Sequence, residues 1–166
     1  MRPRWCCWTM ATRSSKRPRA VLAAALLALA ACSPGAPEGV DKAALDDAVS
    51  RAIGDPNSCL LIAKRGSGDV VYRYNSATAC AREWPSCEGG GSRQLKDLLA
   101  TTANDGQVRT LSCDSLDPAR TVGWAAGPVP GRPLVYAAVM EGERTFPGLM
   151  MADRIASAFK RAGLSS

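Results

Sequence analysis

An apolar run that stops at a cysteine decides how much of this 166-residue chain is left to fold. Residues 20–31 read AVLAAALLALAA, twelve residues, and Cys32 follows. A membrane-spanning helix needs roughly 20 apolar residues, so this run falls short. RSSKRPR stands directly before it, a compact basic patch. A basic segment, a short apolar core and small residues at its end make a secretory signal, so residues 1–31 are set aside from the fold. The stretch from Met10 is already a sufficient signal, which makes Met10 rather than Met1 the expected start. After Cys32 comes SPGAPEG, a Pro/Gly linker that together with the cysteine makes up residues 32–39, and then a single domain over 40–166.

The four residues Leu29-Ala30-Ala31-Cys32 resemble the lipobox of bacterial lipoproteins. The resemblance implies that the Cys32 thiol carries a diacylglycerol and that a peptidase cuts before it. Small residues at 30 and 31 suit a narrow cleavage site. Stable anchoring takes two or more acyl chains, because one gives only marginal binding. Ser33, where an Asp would retain such a protein at the inner membrane, implies an outer-membrane address with the domain facing the periplasm.

Charge narrows the classes of partner. The chain carries +6, but six of its 21 basic residues precede Cys32 and no acid does, leaving 15 bases against 15 acids. No basic stripe remains to neutralise phosphates, so nucleic acid is not an expected partner. Histidine is absent, which removes Ser-His-Asp and Cys-His catalysis outright. No metal or other cofactor is expected.

Beyond Cys32 stand four cysteines, Cys59, Cys80, Cys87 and Cys113. An even number in an exported domain reads as two disulfides, with three pairings open. Cys80 and Cys87 flank the short AREWPS loop, so a local bridge is the first choice and Cys59–Cys113 follows from it. A zinc site is the alternative, disfavoured by the missing CxxC spacing and histidine.

Periodicity gives the elements. Asp41 caps a helix with Leu45, Ala48, Val49, Ala52 and Ile53 on one stripe, Val40 stapled to Leu45, and Gly54 and Pro56 closing it. Cys59–Ala63 and Val70–Tyr74 form a hairpin about a Gly-Ser-Gly turn. A cysteine loop and a flexible EGGG break follow. Ser92 is expected to cap a short helix carrying Leu95, Leu98, Leu99 and Thr102. Three strands, Val108–Ser112, Val122–Ala126 and Leu134–Met140, precede a final helix that buries Met151, Ile155, Ala158 and Phe159. Short connections make the pairings antiparallel. The expected class is α+β: a five-stranded antiparallel sheet with the N- and C-terminal helices packed on one face.

CLLIAKRGSGDVVYRYN is similar to the first hairpin, and VGWAAGPVPGRPLVYAAVMEG to the last hairpin, of the penicillin-recognising serine enzymes: β-lactamases, DD-peptidases and transpeptidases. The resemblance implies a strand order 2-1-5-4-3. It does not carry their chemistry. Family catalysis needs Ser-x-x-Lys. Counting from Pro85 puts Cys87 at the serine position and Gly90 at the lysine position; from Ser92 it puts Leu95 there, with Lys96 one residue out. Arg109-Thr110-Leu111 stands where the K-T-G strand would be. Only residues 88–108 separate the two places, where the family carries a large helical subdomain.

Trp84 and Arg82 in the cysteine loop are the expected binding surface, with Glu83 and Glu88 beside them, whereas Trp124 in a strand reads as core. Asp114 and Asp117 fit turn chemistry, and Gly89–Gly91 lacks the lysine of a phosphate cradle. The expected function is a non-enzymatic envelope lipoprotein, held to the membrane by its lipid, that binds or scaffolds an envelope protein or peptidoglycan. A degenerate hydrolase using Cys87 or Ser92 is the alternative.

Overall fold

The structure is a computed structural model, and it describes residues 34–166. The signal segment, Met10 and Cys32 lie outside the described residues. Among the described residues no helix is long and apolar enough to cross a membrane.

The chain runs α1 (Lys42–Ile53), β1 (Ser58–Lys64), β2 (Val70–Tyr74), α2 (Ala77–Cys80), β3 (Glu83–Pro85), β4 (Ser92–Gln94), α3 (Leu95–Asp105), β5 (Arg109–Asp114), β6 (Thr121–Pro128), β7 (Leu134–Gly142) and α4 (Gly148–Arg161). It is an α+β fold. Five antiparallel strands form the main sheet in the order β2-β1-β7-β6-β5, so the last strand lies beside the first. β3 and β4 make a separate small hairpin.

Local chemistry sets the helix ends. Asp41 accepts from the Ala44 amide at 2.8 Å, and Leu45, Ala48, Val49, Ala52 and Ile53 are buried as one stripe. α3 begins differently from its sequence expectation. Ser92 lies in β4, and Gln94 is the N-cap, in a capping box with Asp97. Gly106 closes α3 in the left-handed region at φ 68°.

The sheet is buried on both faces. Alternate residues of β1 and β7 point to opposite sides. Leu60, Ile62, Ala138 and Met140 meet α1 and α4 on one face. Leu61, Ala63, Ala137 and Val139 meet α3 and the cysteine insert on the other. The terminal helices thus share a face, and α3 fills the face opposite. α4 sits very close to the sheet because β6 offers glycine there. A Cβ on Gly123 would lie 2.3 Å from the Phe146 carbonyl oxygen, and one on Gly148 would lie 2.3 Å from that of Trp124.

Both disulfides form, but with other partners than the loop length favours. Cys59 pairs with Cys80, and Cys87 with Cys113. The Cys80–Cys87 and Cys59–Cys113 pairings are therefore corrected. The reason is the route of the insert. Cys80 is held at β1 and Cys87 at β5, which are three strand spacings apart, roughly 14 Å. A disulfide does not bridge Cα atoms more than about 7 Å apart.

Candidate functional site

The insert between β2 and α3 carries the residues of interest, and local hydrogen bonds fix its entry. Asn75 takes a left-handed turn at φ 76° and donates from its side-chain amide to the Ser58 carbonyl at 2.8 Å. The Ser76 hydroxyl accepts from the Ala79 amide at 3.1 Å and starts α2. Cys80, at the end of that turn, reaches Cys59 on β1. The chain then extends as β3 across the sheet, pairs with β4, and is fastened to the edge strand β5 through Cys87.

Trp84 is where this route departs most from the expected binding surface. It is fully buried, packed against the sheet between the two disulfides. Its loop position suggested exposure; the disulfide at each end instead presses the loop onto the sheet. Trp124 is buried as its strand position implied, and its indole N–H donates to the Pro85 carbonyl at 2.9 Å. What reaches solvent is Arg82. Its guanidinium lies 4.3 Å from the centre of the Trp84 ring, covering it in a cation–π contact.

From there Arg82 points at a buried acid. It donates to the Asn57 side-chain oxygen at 3.1 Å and to the carboxylate of Glu141. The same carboxylate accepts from the Ser115 hydroxyl and lies 3.7 Å from Arg120. Glu141 is 5% exposed, and these partners satisfy the hydrogen-bonding capacity of a carboxylate taken out of water. Two guanidinium groups on one carboxylate leave one positive charge in excess, on the exposed side at Arg82. An open groove of about 600 Å³ adjoins it, bounded by Asn57, Ser76, Thr78, Arg82 and the covered Trp84. Its lining can donate hydrogen bonds to, and attract, an anionic or carbonyl-rich group.

Glu141, Arg120, Ser115 and Asn57 were not singled out from the sequence. The signal for Glu141 was present: a lone acid prolonging the apolar run LVYAAVM in a strand buried on both faces.

The candidate nucleophiles take no part in the hydrogen bonds and ion pairs of this cluster. The Cys87 sulfur is bonded to Cys113. Gly90 lies in the β3–β4 loop at φ 80°, where the Ser86 hydroxyl sits 2.9 and 3.0 Å from the Glu88 and Gly90 carbonyls. Leu95 is buried in the core. The Ser92 hydroxyl donates to Glu83 at 2.9 Å on the exposed side of the hairpin. Asp117 accepts from the Ala119 amide at 3.0 Å, a turn role. Among the described residues no group of three or more histidine, cysteine or acidic side chains could hold a metal ion.

Comparison with protein-family models, curated proteins and solved structures finds no match to the chain.

Proposed function

We propose that this chain is a lipid-anchored envelope protein, fixed to the outer membrane through Cys32, whose periplasmic domain is a non-catalytic binding or scaffolding module. The observation that carries the non-catalytic half is the Cys87–Cys113 bond. It consumes the thiol at the position of the resembled family's nucleophile and makes the surrounding loop a staple. The strand order, with the last strand beside the first, supports a likeness in shape to the penicillin-recognising enzymes. The anchoring half is supported by LAAC, the Pro/Gly linker and the pairing of all four domain cysteines, which suits an oxidising compartment. The groove beside Arg82 is the binding surface, and an acidic or carbonyl-rich part of an envelope protein or of peptidoglycan is its ligand class.

Incubation of the purified protein with a fluorescent penicillin, with and without reductant, tests the non-catalytic half. No covalent adduct is expected in either case. A stoichiometric adduct mapped to Cys87 or Ser92 would overturn it. Cys32→Ser tests the anchor: lipid labelling should be lost and the precursor should stall or be released. A Cys32→Ser variant that is still processed and membrane-bound would sink the lipoprotein reading.

A further inference from the structure

We infer that the end of the sheet carrying Lys64, Arg65 and Arg132 binds the anionic phospholipid headgroups of the membrane in which the protein is anchored. The inference rests on the reading of Cys32 as the lipidated residue.

A groove of about 820 Å³ opens where the linker joins the domain, and Glu38, Lys64, Arg65, Arg132 and Pro133 help to line it. Lys64 ends β1, Arg65 begins the β1–β2 turn, and Arg132 lies in the β6–β7 turn. The two turns are tied together by the Arg65 amide, which donates to the Pro133 carbonyl at 3.0 Å. Lys64 and Arg65 are exposed and Arg132 is half-buried. Among the described residues none of the three forms an ion pair. Glu38 is the one acid among the residues lining this groove, and the Arg132 guanidinium donates to its backbone carbonyl. That bond fastens the linker to the basic end.

Chain length supplies the occupant. Six residues lead from Cys32 to Glu38, a stretch that spans at most about 20 Å when fully extended. A lipidated Cys32 therefore keeps this end of the domain next to the bilayer surface. The chain after the signal has 15 bases and 15 acids, so net charge gives it no pull toward the membrane. A local, unpaired set of three cations does, because each basic residue near an anionic surface gains of the order of a fivefold preference. Screening confines that gain to roughly 8–10 Å, so it acts only if this end faces the lipid.

The test uses the lipidated protein in vesicles and reads lysine acylation by mass spectrometry. Lys96 is the internal reference, since it lies in the first turn of α3 while Gly106, at the other end of that helix, lies against Arg65. In vesicles with about 30% phosphatidylglycerol, Lys64 should be acylated roughly fivefold more slowly relative to Lys96 than in pure phosphatidylcholine vesicles. High salt should abolish the difference, as should the pair Arg65→Glu and Arg132→Glu. If the intact mass shows acyl chains on Cys32 and the Lys64/Lys96 ratio is the same in both vesicles, the headgroup site is overturned and the anchor stands. If the membrane-bound protein carries no acyl chains on Cys32, the anchor reading falls and the inference falls with it.

Discussion

Glu141 shows how one side chain ties distant parts of the chain together. Its partners come from the insert (Arg82) and from the β5–β6 turn (Ser115 and Arg120). Glu141→Gln keeps the shape and removes the charge that holds two guanidinium groups. Arg82 is 44% exposed in its side chain, so solvent screens part of the effect, and a loss of about 1–2 kcal/mol is expected. A urea unfolding midpoint unchanged by the substitution would show that the cluster is not structural. Trp84→Ala should cost more, about 3–5 kcal/mol, because it empties a fully buried site. Urea unfolding measures this as well; a surface tryptophan would leave stability nearly untouched. The burial of Trp84 was not legible in AREWPS, since nothing local presses that loop down. Two bridges to residues more than 20 positions away in sequence do so.

At the scale of elements, legibility follows length. α1 and α4 repeat their apolar stripe over several turns, and their buried residues are those the helical period picks out. The five strands of the main sheet were legible for the same reason, with ends that shift by a residue or two. α2, β3 and β4 have four, three and three residues, too few to show a period: the sequence reads the first two as loop and the third as the cap and start of the helix that follows. The second helical layer was open to inference from β7, whose unbroken apolar run fits a strand covered on both faces. Pairing of the cysteines was the element-scale failure, because sequence proximity of Cys80 and Cys87 ignored the strand between them. The pairing is checked by a non-reducing tryptic map. Cleavage at Arg82 separates Cys80 from Cys87, so the expected products join the Cys80 peptide to that of Cys59, and the Cys87 peptide to that of Cys113. A linked Cys80–Cys87 pair would contradict this fold. Replacing Cys87 and Cys113 together by serine should lower stability by about 3 kcal/mol, as expected for a loop of this length, and calorimetry would read it as a clear fall in Tm.

At the scale of the whole molecule, the face shared by α1 and α4 makes folding sensitive to alkali. Tyr72, on the edge strand β2, is buried, and its hydroxyl donates to Asp46 of α1 at 2.9 Å. Burial, then the hydrogen bond to that carboxylate and its charge, raises the phenol above its ordinary range. Tyr136, on β7, packs edge-on to Phe159 of α4 with ring centroids 5.4 Å apart, and burial, aided by the charge of Asp153, pushes it up to about 12. Both groups are neutral acids whose folded pKa exceeds the unfolded value near 10. The stability they contribute is therefore complete below pH 10 and is lost as pH climbs past it, because the unfolded chain ionises first. For Tyr136 the loss runs from about pH 10 to about 12; for Tyr72 it continues beyond. Acid has no comparable lever in these two residues. Asp105, held at about 2 by its hydrogen bond to Arg109, loses its contribution as pH falls from its ordinary value toward 2, but it is exposed and its share is small. Stability measured by urea unfolding should thus be flat across neutral pH and fall steeply above pH 10. Tyr72→Phe removes the bond to Asp46 and should lower the plateau, while Tyr72→Phe with Tyr136→Phe should flatten the alkaline fall. A double variant that still loses stability as steeply above pH 10 would show that the fall comes from groups other than these two phenols.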